Sequence, residues 1–398
     1  MMTRATLLLV LLVSCAHALV HVYEQSLPSV EQRIAAEYFP TDPAAGKAMT
    51  GQLSNTWRLM WGLGGILAGW LVDYVGGRRM LALYLFGCSV TCGLAAMSGS
   101  KNELFWAMLL MGAFASIYHP AGLTLISHET NPTNRARAQG IHGVFGSAGI
   151  GSAPLAVGIL FSMSATWRQV YGYLVVPGIV LGSLLVVASI RHHAAGSESN
   201  VPPTTGDDRE QADWSSFAIL TLVASMQGFI YTAVTSFLPR YLAGSMDGII
   251  GGSRDSVANY LTAAVLFVGC FGQFGAGSFA KHSALERQLS WICFGSVPFL
   301  AWMAIATGWG RVLSAGLLTL VHFMHQPIYN TLIAKYTPRR QRGMFYGVSF
   351  AMGQGVGSFG AGFAGNFQSD TFVYGVLAVV AAIGGMIGVV LAIRNRSP

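Results

Sequence analysis

The sequence predicts an all-α polytopic membrane protein with twelve transmembrane helices in two pseudo-symmetric six-helix halves. Six apolar stretches lead up to a polar segment at 191–213, and six more follow it. A bilayer core about 30 Å thick needs about 20 apolar residues per spanning helix, and only helices or closed barrels satisfy their backbone groups inside it. The composition agrees, because 10% of the residues are charged, against about 25% in soluble domains.

Short loops join most of the predicted spans. The longer connections are an outer loop at 31–50 and a linker at 193–213, whose charges beside Pro202, Pro203 and Gly206 indicate a flexible cytoplasmic segment. The linker separates an N-terminal half, 1–192, from a C-terminal half, 214–398. The spans are predicted to begin at Thr3, Gly51, Met80, Glu103, Ala138, Gln169, Ser215, Ser256, Arg287, Val312, Gly343 and Thr371.

The basic residues are distributed unevenly between the two sides of the predicted membrane. Fifteen of the 23 Lys and Arg residues fall on the side of the linker and seven on the other, with Arg58 inside a span. Cytoplasmic loops carry this excess, which predicts that both termini are cytoplasmic. The net charge of +7 therefore reflects membrane topology, and nucleic acid is not an expected partner.

The first residues also resemble a secretory signal peptide. Arg4 precedes an apolar run that ends in Ala16-His17-Ala18, a cleavage-like sequence. The apolar pattern continues past this point, and the count of twelve spans needs this segment. We therefore interpret it as the first transmembrane helix, with a cleaved leader as the alternative.

The two halves look like diverged repeats. Residues 135–146 match 342–353 at a constant offset, Leu27-Pro28 matches Leu238-Pro239, and His119 has a counterpart in His325. Two six-helix repeats related by an axis along the membrane normal are a transporter architecture, with the substrate site between them near the midplane.

Three ionisable residues share one face of the first helix. His17, His21 and Glu24 are spaced four and three residues apart. Ionisable groups inside a span are costly and normally face a cavity, and imidazoles exchange protons near neutral pH. The set is a candidate proton site, unless Glu24 is solvated at the outer interface. Glu24 is the only acidic residue that we place within a predicted span.

Arg58 lies fifteen residues before Asp73, about 22 Å along the second helix. Gly62, Gly65 and Gly69 share its face, which predicts close packing there. An unpaired Arg at this depth would be costly. It needs Glu24, a substrate anion or both, unless it snorkels outward.

Four more histidines lie in predicted spans. His142 heads a stripe of small residues and is interpreted as part of a helix-packing seam. A buried His that bonds a backbone carbonyl is the default for each of them. The repeat makes His119 and His325 the better functional candidates, and His322 the weaker one.

Residues 69–79 carry a recognisable motif between the second and third helices. Gly69-Trp70-Leu71-Val72-Asp73-Tyr74-Val75-Gly76-Gly77-Arg78-Arg79 resembles the signature loop of the major facilitator superfamily, G-x-L-x-D-x-x-G-R-[RK], with one extra residue. The resemblance implies the major facilitator fold and a latch, in which Asp73 meets a helix N-terminus or an Arg while the Arg pair contacts the opposing half or lipid. The implied cytoplasmic gate comprises Gly69, Asp73, Arg78, Arg79, Arg135 and Arg342.

The first half is also similar to the fosmidomycin-resistance-like branch of that superfamily. His17, Tyr23 and Leu27-Pro28 follow its first-helix pattern, and Tyr118-His119-Pro120 matches its aromatic-His-Pro step. This similarity implies efflux of anionic compounds such as a phosphonate drug. The chain departs from the branch where His21 and Val20 stand in place of Asp and Asn, and it lacks the fourth-helix Arg of drug/proton antiporters.

These features together predict a secondary active transporter rather than an enzyme. We expect alternating access for a small anionic or zwitterionic solute with proton-coupled efflux. The alternatives are proton-coupled uptake of an organic anion and a non-transporting receptor or assembly factor. The expected setting is a monomer in lipid of the plasma (inner) membrane, without a cofactor or metal. The predicted substrate and coupling residues are His17, His21, Glu24, Arg58, Tyr118, His119 and His325.

Overall fold

The computed structural model describes residues 4–130, 132–194, 212–245, 253–279, 284–338 and 342–395. A π-helical turn, Ala351–Gly355, and a 3-10 turn, Val356–Ser358, interrupt the helices near the C-terminus. The α-helices are α1 Arg4–Tyr38, α2 Pro43–Val75, α3 Gly77–Met97, α4 Lys101–Ala115, α5 Tyr118–Glu129, α6 Pro132–Ser162, α7 Trp167–Ala194, α8 Trp214–Ala243, α9 Arg254–Phe279, α10 Leu285–Ile305, α11 Trp309–His322, α12 His325–Tyr336, α13 Arg342–Phe350, α14 Phe359–Asn366 and α15 Asp370–Arg394.

These helices form twelve long helical segments, because α4 continues into α5, α11 into α12, and α13 through the two turns into α14. Nine of the segments in the described residues are long and apolar enough to cross a membrane. The other three are α2, α11 with α12, and α13 with α14. The predicted all-α polytopic architecture is confirmed.

The predicted outer loop at 31–50 is wrong. Helix α1 runs on to Tyr38 and α2 begins at Pro43, which leaves a connection of only 39–42. Asp42 caps α2 by accepting a hydrogen bond from the Ala45 backbone N–H at 3.0 Å, and Pro suits the first helical position. The Leu27-Pro28 step lies within α1 as well.

The polar residues of this region stay helical because the fold supplies their partners. The carboxylate of Glu31 accepts hydrogen bonds from Arg240 of α8 at 2.7 and 2.8 Å, and the Glu31 side chain is 2% exposed. Glu24 is therefore not the only acidic residue buried within a spanning helix. The local sequence around Glu31 does not predict this ion pair, because Arg240 is distant in the sequence.

The buried apolar residues divide largely by half. One cluster extends through α1 to α7, from Leu9 to Leu185. Two others belong to α8 to α15, and the residue that α6 adds to one of them is Ile150. Each half thus has its own core. The boundaries at 192 and 214 stay predictions, and most of the linker, 195–211, lies outside the described residues.

Ion pairs join the halves at one end of the molecule. We call the end where α7 ends and α8 begins the linker end, and the opposite one the distal end. At the distal end, Glu31 binds Arg240, and Arg33 of α1 binds Asp255 of α9 at 2.8 Å. Lys47 of α2 also donates a hydrogen bond to a backbone carbonyl beyond α14 at 2.7 Å.

At the linker end, the described ion pairs lie inside single halves. Arg78 of α3 binds Glu129 of α5 within the first half. Lys335 of α12 binds Glu286 of α10 at 2.6 Å within the second. The structure therefore holds its halves together at the distal end.

Glycines let the halves approach closely along α2. A Cβ on Gly62 would lie 2.2 Å from the backbone N of Gly355 and 2.5 Å from its Cα. A Cβ on Gly51 would lie 2.9 Å from the Cα of Gly365. The predicted close packing of the glycine face of α2 is confirmed at Gly62, where the neighbour is backbone that cannot move away from an added side chain. A Cβ on Gly65 or Gly69 would meet its nearest neighbour at 3.5 or 3.8 Å, which is ordinary contact.

We expect Gly62→Ala to separate α2 from the turn at Ala351–Gly355 and so to weaken the distal closure. Spin labels at Thr41→Cys and Gln368→Cys, both exposed positions at the distal end, would report this in a cysteine-free background. Double electron–electron resonance should show longer label-to-label distances in Gly62→Ala.

The matched control is Gly375→Ala in α15, since a Cβ there meets nothing within 4 Å. It should leave the distance distribution unchanged. Identical distributions in both alanine variants would show that the glycine contact does not hold the distal end shut.

Candidate functional site

Helices α1, α2 and α5 place six of the seven predicted substrate and coupling residues in one cluster against α8 of the second half. Helix α1 contributes three of them because its polar positions recur at helical spacing. The cluster comprises His17, His21, Glu24, Arg58, Tyr118 and His119.

Glu24 is the centre of the polar contacts. Its Oε1 lies 3.4 Å from Nη2 of Arg58 and accepts a hydrogen bond from the Tyr231 hydroxyl at 2.9 Å. Its Oε2 lies 2.8 Å from Nδ1 of His21. The residue is 2% exposed, so its alternative placement at a solvated interface is wrong for this structure. Three partners from three helices stabilise the buried carboxylate.

Arg58 is buried with unused hydrogen-bond donors. It is 1% exposed, so the alternative of outward snorkelling is also wrong here. Its Nη1 and Nη2 atoms have no hydrogen-bond partner among the described residues, and the contact with Glu24 is an ion pair only. Its Cζ lies 5.3 Å from the centroid of the Tyr231 ring. A guanidinium has five N–H donors, and leaving them unbonded in a buried site is costly.

His17 is held between α5 and α6. Its Nδ1 donates a hydrogen bond to the backbone carbonyl of His142 at 2.8 Å, and the two rings stack with centroids 4.0 Å apart. A Cβ on Gly146 would lie 2.2 Å from the His17 ring, so only glycine leaves room for the imidazole there. The predicted packing seam of α6 is confirmed, and it also positions His17.

Tyr118 supports this arrangement from α5. Its hydroxyl donates to the carbonyl of Val13 at 2.9 Å and lies 2.8 Å from Nε2 of His142. The sequence predicts His142 as a residue of the packing seam, and the structure shows in addition that it contacts His17 and Tyr118 directly. Its spacing of four residues from Gly146 was the available signal.

His119 faces the second half through an aromatic contact. Its ring centroid lies 4.9 Å from that of Phe350 in α13 and 5.7 Å from that of Trp61 in α2. Its Nε2 is buried without a hydrogen-bond partner among the described residues. These contacts place His119 at the boundary between the halves.

His325 lies apart from the cluster. Its Nδ1 donates to the carbonyl of His322 at 2.9 Å, and the two rings are 5.2 Å apart. The His322 ring in turn lies 6.4 Å from that of Tyr231. The structure therefore brings His325 near the cluster only through two intermediates, and the repeat does not pair it directly with His119.

Tyr231 was missed by the sequence analysis. It donates to Glu24 and accepts a hydrogen bond from Gln25 of α1 at 3.2 Å, and so connects the second half to the site. A single Tyr in an apolar helix gives no signal that separates it from a core residue.

The motif loop lies at the linker end. Gly76 has a φ of +90°, a conformation that glycine adopts readily, and so allows the sharp turn between α2 and α3. Asp73 and Arg79 are exposed, whereas Arg78 binds Glu129 of its own half instead of the opposing half. The side chains of Arg135 and Arg342 lie outside the described residues, and their gate roles stay predictions, as do those of Gly69, Asp73 and Arg79.

A separate cavity of about 200 Å³ lies at the distal end, where Lys47, Arg240 and Asp370 line it. Its charges already have partners: Arg240 binds Glu31, and Asp370 lies 3.2 Å from Arg311. The cluster around Arg58 is the stronger candidate site, because Nη1 and Nη2 of this residue have no hydrogen-bond partner within the described ranges.

A family profile that matches most of the sequence identifies the family of this protein. The family profile of the Major Facilitator Superfamily matches residues 34–362. The chain belongs to the Major Facilitator Superfamily. As a member of this superfamily, it is an integral membrane transporter and not an enzyme.

Two curated proteins are similar in sequence to this transporter. The shikimate transporter of Escherichia coli (strain K12) is 25% identical over 380 residues, which cover 84% of this chain and 83% of that protein. The puromycin resistance protein pur8 of Streptomyces alboniger is 33% identical over 96 residues. That match spans 24% of this chain and only 19% of the length of that relative.

Solved structures of other transporters have the same fold. A bacterial homolog of the human lysosomal transporter Spinster, in an inward-facing and unoccupied conformation, has a TM-score of 0.72 at 16% identity, covering 99% of this chain and 95% of the other. A D-xylose–proton symporter has a TM-score of 0.73 at 13% identity, covering 96% and 97%. At these identities the likeness shows the fold alone.

We expect Arg58→Gln to destabilise the transporter by about 3–5 kcal/mol, because it leaves the buried Glu24 carboxylate without its opposite charge. Unfolding of the detergent-solubilised protein would measure the loss. The double variant Glu24→Gln/Arg58→Gln should recover a large part of it. Strictly additive effects of the two single substitutions would instead mean that the pair does not interact.

Proposed function

We propose that this transporter moves a small organic anion or zwitterion by alternating access, with Arg58 as the group that binds the anion. The proposal rests on the buried guanidinium between the halves, whose Nη1 and Nη2 atoms have no hydrogen-bond partner in the part of the chain that the structure describes. Paired N–H donors match a carboxylate or phosphonate, which accepts two parallel hydrogen bonds.

The contacts of Glu24 suggest how binding reaches both halves. An anion that binds Arg58 competes with the Glu24 carboxylate for the same positive charge. Glu24 is also hydrogen-bonded to Tyr231 of α8, so its displacement disturbs a contact between the halves. Ligand binding would then favour a different arrangement of the halves, which is the requirement for alternating access.

The relatives support a small organic substrate without identifying it. The relative that matches over 380 residues is named as a shikimate transporter. Shikimate is a carboxylate, as the proposed site requires. The fosmidomycin-resistance-like branch, whose first-helix and Tyr118-His119-Pro120 patterns this chain follows, likewise suggests an acidic compound. Membership of that branch is part of the proposal.

Proton coupling and outward transport are the finer parts of the proposal. The relative that is named for puromycin resistance favours efflux, and His17, His21 and Glu24 on one face of α1 are the groups proposed for proton coupling. The alternative is proton-coupled uptake of an organic anion. We further propose a monomer surrounded by lipid in the plasma (inner) membrane, with both termini and the linker end in the cytoplasm, as the basic residues predict.

The substrate class can be tested by thermal-shift measurements with a panel of small organic acids, because a ligand of the folded state raises its melting temperature. We expect acids to stabilise the purified protein while their neutral amides do not. Arg58→Gln should remove the shift, and Arg58→Lys should retain part of it because the charge remains.

The matched control is Arg4→Gln, an exposed arginine at the linker end, which should leave the shift intact. Equal loss of the thermal shift in Arg58→Gln and Arg58→Lys would mean that bidentate hydrogen bonding by the guanidinium matters more than its charge. An unchanged shift in both Arg58 variants would remove Arg58 from the site.

Proteoliposomes separate the mechanisms once a ligand is known. Efflux by exchange with protons requires that the ligand accumulate in inside-out vesicles with an acidic interior. Symport requires that an opposite gradient drive accumulation. Ligand binding without flux in either case would support the receptor alternative and contradict transport of that ligand.

A further inference from the structure

Three histidines of the cluster form a constellation suited to a metal ion. One ring nitrogen from each of His17, His21 and His119 lies within 4.8 Å of the others. His17 and His21 are one helical turn apart on α1, and His119 comes from α5. The candidate ligands therefore come from two helices. Two of them lie on α1, and the third lies on α5, which is distant in the sequence but adjacent in the fold.

In two of these histidines, one ring nitrogen is already bonded. Nδ1 of His17 donates to the carbonyl of His142, and Nδ1 of His21 lies 2.8 Å from the Glu24 carboxylate. Metal-binding histidines almost always use the second ring nitrogen in this way, on a carbonyl or a carboxylate, which fixes the tautomer and the ring orientation. In His17 and His21 this leaves Nε2 with its lone pair available for an ion.

The third histidine, His119, has a buried ring nitrogen whose hydrogen bond is not satisfied by the described residues. Nε2 of His119 is buried and has no hydrogen-bond partner among the described residues. An imidazole nitrogen in this state is costly unless something binds it. Its ring lies 5.4 Å from that of His17 and 5.9 Å from that of His21, so a single ion can reach all three.

We propose that His17, His21 and His119 bind a divalent transition-metal ion of the Zn²⁺ class through their Nε2 atoms. Imidazole is a preferred ligand of Zn²⁺, Cu²⁺ and Ni²⁺. Three histidine ligands leave the fourth tetrahedral position open for water or another ligand. At a Zn–N distance of about 2.0–2.1 Å, tetrahedral ligand nitrogens lie about 3.3 Å apart, so the rings must move inward from nitrogen separations of up to 4.8 Å.

The site departs from the expectation that the chain holds no metal. The spacing His17-x-x-x-His21 was a signal for it, because residues four apart lie on one helix face. The third ligand could not be found by spacing. Metal binding at these histidines does not depend on the proposed anion transport, since it can be measured without any transport substrate.

The test is Co²⁺ binding to the full-length protein, purified without a polyhistidine tag and stripped with a chelator. Tetrahedral Co²⁺ absorbs visible light far more strongly than the hydrated ion. We expect one equivalent of Co²⁺ to produce this spectrum and Zn²⁺ to abolish it by displacement. Absence of Co²⁺ binding to the wild-type protein would overturn the proposal.

Variants assign the ligands. His17→Ala, His21→Ala and His119→Ala should each weaken Co²⁺ binding at least about tenfold, and Glu24→Gln, which removes the supporting carboxylate, about 10- to 100-fold. The matched control is His128→Ala, an exposed histidine on the same helix as His119, which should bind as the wild type does. Binding that survives in the three alanine variants would contradict the assignment.

One further substitution distinguishes the loss of a metal ligand from misfolding of the protein. His119→Cys keeps a metal ligand of a different element at the same position. If residue 119 binds the ion, the Co²⁺ complex should gain the near-ultraviolet charge-transfer band of a thiolate. A bound Co²⁺ without this band would remove His119 from the site and overturn the three-histidine arrangement.

Discussion

The contact between Glu24 and Arg58 is the constraint on which the rest of the site depends. Both side chains are almost completely buried, and their closest charged atoms are 3.4 Å apart. Each charge alone would be destabilising at this depth, so each needs an opposite charge beside it. His21 and Tyr231 complete the hydrogen bonds of the carboxylate, whereas Nη1 and Nη2 of the guanidinium have no hydrogen-bond partner among the residues described. This difference is the reason for which we propose Arg58 as the group that binds an external anion.

The helix packing keeps this pair between the two halves. Gly62 brings the backbone of α2 against Gly355, and Gly146 opens room for the His17 ring beside α6. The salt bridge between Glu31 and Arg240 holds the distal end together. Small residues thus set the distances between the helices, and the few charged residues determine which surfaces meet.

The sequence predicted most of the fold because apolar length is a local property. It also predicted that Arg58 would need Glu24, a substrate anion or both, since an unpaired charge inside a span is costly wherever it occurs. The loop predicted at 31–50 was wrong, because Glu31 and Arg33 bind residues more than two hundred positions away. Tyr231 was missed for a related reason: a lone Tyr shows its role only when the second half places it beside Glu24.

Displacement of Glu24 from Arg58 by an anion can be seen in a cryo-electron microscopy structure of the protein with an organic acid selected by thermal shift. We expect density for the acidic group at hydrogen-bond distance from the Arg58 guanidinium, with the Glu24 carboxylate moved away. Density elsewhere, with the Glu24–Arg58 contact intact, would contradict this displacement.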